Sequence, residues 1–296
     1  MRVLFFVSFL VAAASISAWA GVADFDGDGR TDLSVFRPAE GIWYLDRSTL
    51  GFQAVNWGIS TDRITPGDFD GDSKTDFAVF RPAADDSLPD FYVLRSSNLT
   101  VTYVWWGLPG DTPVVADYDG DGLDDVAVYR QSNNHWYVLK SSDGQLQSFR
   151  NVVGGRPAPG DFDGDNKADF ANYPGSEWFI ARSGSNYALV VLLTIGGAQD
   201  RTAAADYDGD GRTDAAIYNT TTGTWVIRYS SNGATANIRW GLSTDLAVPG
   251  DYDGDGLADI GIYRDGTWWL LQSRDGIAIR QFGLAGDVPV PNRHLP

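Results

Sequence analysis

Apolar residues in this chain fall in short runs separated by turns, and the same order of runs returns about every 45 residues. One run, as in LSVFRP (33–38), FAVFRP (77–82), VAVYRQ (126–131) and IGIYRD (260–265), precedes a turn rich in Gly, Asn or Pro. An aromatic run comes next: IWYLDRS (42–48), HWYVLKS (135–141), EWFIARS (177–183), TWWLLQS (267–273). A third run ends on a hydrophobe and a glycine, at Trp57-Gly58, Trp106-Gly107, Val153-Gly154, Ile195-Gly196, Trp240-Gly241 and Phe282-Gly283. A short segment such as LAVPGD (246–251) then leads into the next unit. The runs are β-branched and aromatic, bounded by turn residues and free of useful helical periodicity, which predicts four short strands per unit.

Each unit opens on an acidic loop, D-x-D-G-D-x-x-x-D, beginning at Asp24, Asp68, Asp117, Asp161, Asp206 and Asp251, in steps of 44, 49, 44, 45 and 45 residues. A period of this length marks a repeat architecture. The long step traces mainly to PAADDSLPDF (82–91), four residues longer than PAEGIW (38–43), an insertion of the kind surface loops accept. Four strands per repeat is the plan of a propeller blade. The fold class expected is therefore all-β, a six-bladed β-propeller of four-stranded repeats with one acidic loop per blade. An open solenoid needs polar capping repeats, and neither end looks like one. The ends are complementary: GVAD (21–24) starts with almost no first strand, while DVPVPNR (287–293) repeats the strand of DTPVVAD (111–117) without its loop. A C-terminal strand lying beside the N-terminal blade would close the ring.

Residues 1–20 read as a signal peptide: Arg2, an apolar run from Val3 to Ala14, and a small-x-small sequence, Ala18-Trp19-Ala20. The run is shorter than a membrane span needs, and no later stretch approaches that length. Residues 21–296 are expected to form a single exported propeller domain, secreted or periplasmic, with no membrane span. The chain has no cysteine, so disulfides contribute nothing even where an oxidising compartment would permit them.

Like charges crowded into one loop are unfavourable unless a cation sits among them. Hard oxygen ligands in this number suit calcium, whereas zinc or copper would want His or Cys; the only histidines, His135 and His294, lie outside the loops. The carboxylates assigned are Asp24, Asp26, Asp28 and Asp32; Asp68, Asp70, Asp72 and Asp76; Asp117, Asp119, Asp121 and Asp125; Asp161, Asp163, Asp165 and Asp169; Asp206, Asp208, Asp210 and Asp214; and Asp251, Asp253, Asp255 and Asp259. By analogy with the EF-hand loop the seventh residue, Arg30, Lys74, Leu123, Lys167, Arg212 or Leu257, would offer its backbone carbonyl. The fourth is always glycine and the sixth Gly, Ser or Asn, as tight wrapping requires. The loops are not EF-hands, because Val35, Val79, Val128, Asn172, Ile217 and Ile262 stand where a bidentate Glu would be required.

Of 39 acidic residues only Glu40 and Glu177 are glutamate, a bias toward the shorter carboxylate that a merely solubilising surface would not need. The net charge of −17 becomes −18 without Arg2, and six Ca²⁺ would bring it to −6. About six structural calcium ions are thus expected. Nucleic acid is excluded as a partner, since phosphate binding needs a basic patch.

The whole pattern, DYDGDGLADIGIYR…GTWWLL…FG…DVPVP, resembles bacterial FG-GAP-like/VCBS repeat proteins, and its loops resemble the calcium loops of integrin α-subunit propellers and some fungal propeller lectins. The resemblance implies a calcium-binding propeller used for adhesion, as a lectin, or as a non-catalytic part of an enzyme. A Ser-His-Asp triad has too few histidines to draw on, and a carboxylate pair for glycoside hydrolysis would have to recruit Glu40 or Glu177. The function expected is that of an exported, monomeric calcium-binding module for glycan or a cell-surface protein, with calcium structural; the alternative is a polysaccharide-degrading lyase or hydrolase on a propeller scaffold. Arg37, Arg81, Arg130 and Arg264, at position fourteen of four units, are expected to bridge to a neighbouring loop. Trp43, Trp136, Trp178, Trp225 and Trp268 are expected to pack between sheets. Trp105 and Trp269 stand outside the repeat consensus; core or edge packing is their expected use, with sugar stacking the alternative, and the shortened NVVGGRPAPGD (151–161) marks where the repeat is least regular.

Overall fold

The computed structural model describes residues 23–83, 87–151 and 153–290, so the expected signal peptide and His294 lie outside the described residues. The described chain builds 24 strands in six four-stranded antiparallel sheets, with one 3-10 turn at Ser183–Ser185. Blade one holds β1 (Leu33–Arg37), β2 (Ile42–Arg47) and β3 (Gly51–Asn56). Blade two runs from the axis outward as β4 (Arg63–Ile64), β5 (Phe77–Phe80), β6 (Phe91–Leu94) and β7 (Val101–Val104). Blades three to six repeat that order, with innermost strands β8 (Thr112–Pro113), β12 (Arg156–Pro157), β16 (Arg201–Thr202) and β20 (Leu246–Ala247).

The ring closes as the sequence implies. The last strand, β24 (Val288–Pro289), pairs antiparallel with β1 through Val35↔Pro289 and Phe36↔Val288. Val290 N–H donates to the Ser34 carbonyl at 2.8 Å, and Ser34 Oγ donates back to the Val290 carbonyl at 2.9 Å.

Strand position within a blade decides composition. The second strand has neighbours on both faces, so β5 is buried at every residue and reads as a continuous apolar run, FAVF. The outermost strand alternates half-buried and exposed positions, as β7 does. Each of the six apolar clusters joins two adjacent blades: Trp43 with Phe77 and Val79, Phe91 with Val126 and Val128, Trp136 with Phe170, Trp178 with Ile217, Trp225 with Ile262, and Trp268 with Val35. The five tryptophans are fully buried, and Phe91 takes the equivalent place in blade two. Indole N–H groups also staple blade to blade, Trp57, Trp106 and Trp240 donating to the carbonyls of Tyr92, Tyr137 and Trp269 in the next blade.

Trp225→Ala, which empties the wedge between blades five and six, is expected to cost about 3–5 kcal/mol in urea unfolding. Trp105→Ala, on the exposed end of blade two's outer edge, is expected to stay within about 0.5 kcal/mol of the parent.

Candidate metal centres and the ring that joins them

Each acidic loop leads into the second strand of its blade, and in five of the six its ninth residue forms a bridge back to the residue before the first, as in Gly67↔Asp76 and Gly250↔Asp259; in the first loop Asp32 N–H donates to the Ala23 carbonyl at 2.7 Å. The backbone turns with positive φ at the fourth position in all six loops, 73–82°, and again at the sixth, where Ser73 and Asn166 adopt 64° and 65° in place of glycine. Those are the angles that the Gly, Ser and Asn pattern anticipates.

The carboxylates have distinct duties. The first accepts N–H groups from positions four and six of its own loop, Gly27 and Gly29 to Asp24 at 2.6 and 2.8 Å. The ninth accepts the second residue's N–H on one oxygen, Phe25 to Asp32 at 2.8 Å, and on the other the N–H of a serine at the end of the third strand, Ser48 at 2.7 Å. The fifth accepts the seventh residue's N–H, at 2.9–3.0 Å in every loop. The third is held on Oδ2 by the hairpin after the third strand: Thr49 and Leu50 N–H to Asp26, Ser97 Oγ to Asp70, Gly184 N–H to Asp163, Ser231 Oγ to Asp208.

The other oxygen of that third carboxylate is the notable one. Oδ1 of Asp26, Asp70, Asp119, Asp163, Asp208 and Asp253 is buried with no hydrogen-bond partner, in six loops out of six. Burying an acceptor unsatisfied is costly, and more so for a charged one. Carboxylate oxygens of Asp24, Asp26 and Asp32 lie within 4.8 Å of one another, as do those of Asp68, Asp70 and Asp76, of Asp117, Asp119 and Asp125, of Asp161, Asp163 and Asp169, and of Asp206, Asp208 and Asp210. The first, third and ninth residues therefore form the inner cluster in four loops, and the first, third and fifth in Asp206's.

Burial, reinforced by the neighbouring carboxylates, raises the ninth-position acids against the pull of their N–H donors. Asp32, Asp169 and Asp214 are pushed up to about 7, and Asp76, Asp125 and Asp259 to about 6. Such clusters favour either protons or a cation.

Sequence reasoning missed the serines at the ends of the third strands. Ser48, Ser96, Ser141, Ser183, Ser230 and Ser273 each donate backbone N–H to the ninth carboxylate at 2.6–2.7 Å. The signal was present, since every aromatic run quoted above ends on that serine.

The loops are also joined to one another. The eighth residue's N–H donates to the first residue's carbonyl in the preceding loop: Thr75 to Asp24, Asp124 to Asp68, Ala168 to Asp117, Thr213 to Asp161, Ala258 to Asp206 and Thr31 to Asp251, all at 2.6–2.7 Å. Six bonds thus make a closed ring. The seventh side chain crosses the same junction and lies over the preceding loop's fourth glycine. A Cβ there would come within 3.1 Å of Lys74 at Gly27 and 2.6 Å of Arg30 at Gly254. Arg, Lys and Leu share a long aliphatic stem that covers this backbone, so the side chain at position seven, which looks unconstrained in sequence, has a packing role.

The position-fourteen arginines do make ion pairs, but to a different partner from the one expected. Arg37, Arg81, Arg130 and Arg264 each form a two-pronged bridge with the aspartate just before the innermost strand of their own sheet: Asp287, Asp62, Asp111 and Asp245, at 2.6–2.9 Å. The register explains it, because Arg63↔Phe80 sets the start of an innermost strand against the end of the second strand, away from the acidic loop. Trp269 lies under Arg264 at 5.6 Å where other blades use Tyr44, Tyr92 or Tyr137. It is half-buried, while Trp105 is 54% exposed. Glu40 accepts the Tyr44 hydroxyl, and His135 stacks on Tyr137.

Solved structures share this architecture at low identity. TolB from Acinetobacter baumannii superposes with a TM-score of 0.61 at 14% identity, over 91% of this chain and 68% of that one. An Agrocybe aegerita lectin that recognises non-reducing terminal N-acetylglucosamine gives 0.54 at 13%, over 86% and 75%. Virginiamycin B lyase from Staphylococcus aureus, in complex with quinupristin, gives 0.53 at 10%, over 84% and 80%. No curated protein matches the sequence significantly. Residues 117–172, from the third acidic loop into the second strand of the fourth blade, match the FG-GAP-like repeat, and the protein is a six-bladed β-propeller carrying that repeat.

Proposed function

We propose that the protein is an exported calcium-stabilised propeller that serves as a binding module for glycan or a cell-surface protein. The observation that carries the calcium reading is the recurrence, in all six loops, of a buried third-position Oδ1 without a hydrogen-bond partner, fixed by hydrogen bonds to its sister oxygen; among the described residues only Asp253's has a cationic side chain near it, Arg274 at 3.9 Å. A hard cation is the partner such an oxygen lacks. In each loop the first, third, fifth and ninth carboxylates and the seventh carbonyl supply the oxygens, and the serine and hairpin donors hold the carboxylates in place.

Calcium at ten times its dissociation constant adds about 1.4 kcal/mol per site, so six sites add about 8 kcal/mol, comparable to the whole stability of an ordinary domain. This takes the place of disulfides in a chain that has none. The binding role rests on the surface of blade two, where Val101, Tyr103 and Trp105 stand exposed in a row along one side of the outer edge. Exposed aromatic rings of this kind offer flat apolar faces to sugars or to a protein partner. Among the described residues no helix is long and apolar enough to cross a membrane. The N-terminal sequence supports export to the periplasm or beyond.

Metal counting on the purified chain from Gly21 onward is expected to give about six calcium ions, with a large fall in melting temperature when they are stripped. Absence of bound calcium, or no change in melting temperature on stripping, would refute the reading. Asp208→Asn is expected to have opposite effects in the two states. It removes one ion and costs about 1.4 kcal/mol at ten times the dissociation constant, yet raises the melting temperature of the stripped protein by relieving repulsion in the loop.

The raised ninth-position acids give the stripped protein an unusual pH profile. Their folded pKa values of about 6 to 7 lie above the ordinary 3.8, so the folded chain holds protons that the unfolded chain has released. That stability is fully present below pH 4 and is lost as pH rises through 7. Melting temperature of the stripped protein should fall from pH 5 to pH 8, and saturating calcium should abolish or reverse the slope. A flat profile without calcium would contradict the assignment.

A further inference from the structure

The end of the propeller opposite the acidic loops holds a cavity of about 640 Å³ around the axis, walled by the innermost strands of blades one to five. Its floor is apolar, with Phe36, Ile64, Val114 and Val288. Its charge is unlike the rest of this acidic chain. The first residue of the innermost strand is arginine in three blades, Arg63, Arg156 and Arg201, and none of the three has a carboxylate within ion-pair distance among the described residues. Arg63 and Arg156 each spend an N–H on a carbonyl of the following blade, Asp111 and Asp200, which fixes where the guanidinium sits. The remaining donors are uncommitted. Arg201 lies close enough to Arg156 that burial and this like charge together lower its pKa.

The wall changes where these arginines cluster. Blades one, two, three and six close this end with the Arg–Asp fork described above. In blade four both partners are gone, Gly155 standing for the aspartate and Pro174 for the arginine, within the shortened segment 151–161 and the strand it pairs with. In blade five Asn219 replaces the arginine, leaving buried Asp200 with an amide donor at 3.3 Å. Asp62, also in the wall, is neutralised by Arg81. Among the described residues that line the cavity, the charged ones are Arg63, Arg156 and the Arg81-paired Asp62, which leaves a surplus of two positive charges there in a protein of net charge −17.

We propose that this cavity binds a compact organic oxyanion, a carboxylate or phosphate on a sugar-sized body, with Arg63 and Arg156, which line it, as its counter-charges. Guanidinium groups match such oxyanions with paired N–H donors. The apolar floor takes the body of the ligand, and the missing fork of blade four gives it room. This site is independent of the calcium reading, since it shares no residue with the acidic loops.

The experiment is titration calorimetry on the calcium-saturated chain with glucuronate, glucose 6-phosphate and neutral glucose, at 50 and 500 mM NaCl, repeated on Arg63→Gln and Arg63→Gln/Arg156→Gln. The melting temperature of each variant serves as the control for folding. One or both acids should bind with unit stoichiometry, weaken in high salt as screening requires, and lose at least tenfold in affinity in the double variant; which acid binds more tightly identifies the group. The proposal is overturned if neither acid binds, if glucose binds as well as the acids, or if affinity is unchanged in both variants.

Discussion

Electrostatic repulsion among aspartates is the constraint on which the rest of this structure depends. Four carboxylates in a nine-residue loop, six times over, would drive an ordinary chain apart. The fold holds them by giving each carboxylate hydrogen-bond donors: the first is wrapped by its own loop, the ninth is clamped between its loop and the third strand, and the third is held on one side by the following hairpin. This accounts for the charge everywhere except at one oxygen per loop. The same atom is left without a hydrogen bond in every repeat, in clusters of carboxylates that could hold a cation.

The two ends of the propeller obey different rules. At the acidic-loop end every blade carries the same four aspartates and the same inter-loop backbone bond, as expected where neighbouring loops share one ring of hydrogen bonds and none can depart without disturbing the next. At the opposite end the Arg–Asp forks belong to single blades, so one can be lost without consequence for its neighbours. Blades four and five have lost theirs, and Arg156 lines the axial cavity beside the gap. Function in repeat proteins is expected where the repeat is free to vary.

Much of this was legible in the sequence, and for identifiable reasons. The strand order, the six units and the closure by residues 288–289 follow from periodicity, because each blade is a complete local unit with its own turn residues. The loops are legible for the same reason. What the sequence did not disclose is which atom meets which across blades. The arginines at position fourteen announce an ion pair, but only the register of innermost against second strand selects Asp62 over an acidic loop for Arg81. The seventh loop residue looks unconstrained because Lys74, Leu123 and Arg212 differ in charge, and only the neighbouring glycine reveals that their shared stem is what matters. Trp105 and Trp269, alike as departures from consensus, separate into an exposed ring and a half-buried one that backs an arginine.

Closure links these features. A ring of blades without disulfides is only as secure as its weakest junction, and the junction between blades six and one is formed by the two ends of the chain. There β24 contributes only a short pairing to β1, so the strand alone is a modest latch. Three other contacts cross the same junction: Trp268 packs with Val35, Thr31 donates to the carbonyl of Asp251, and Arg30 lies over Gly254. Two of the three belong to acidic loops. Whatever relieves the charge in those loops therefore also steadies the seam at which the ring would open, and the aspartates that look most costly are placed where their neutralisation has the most effect.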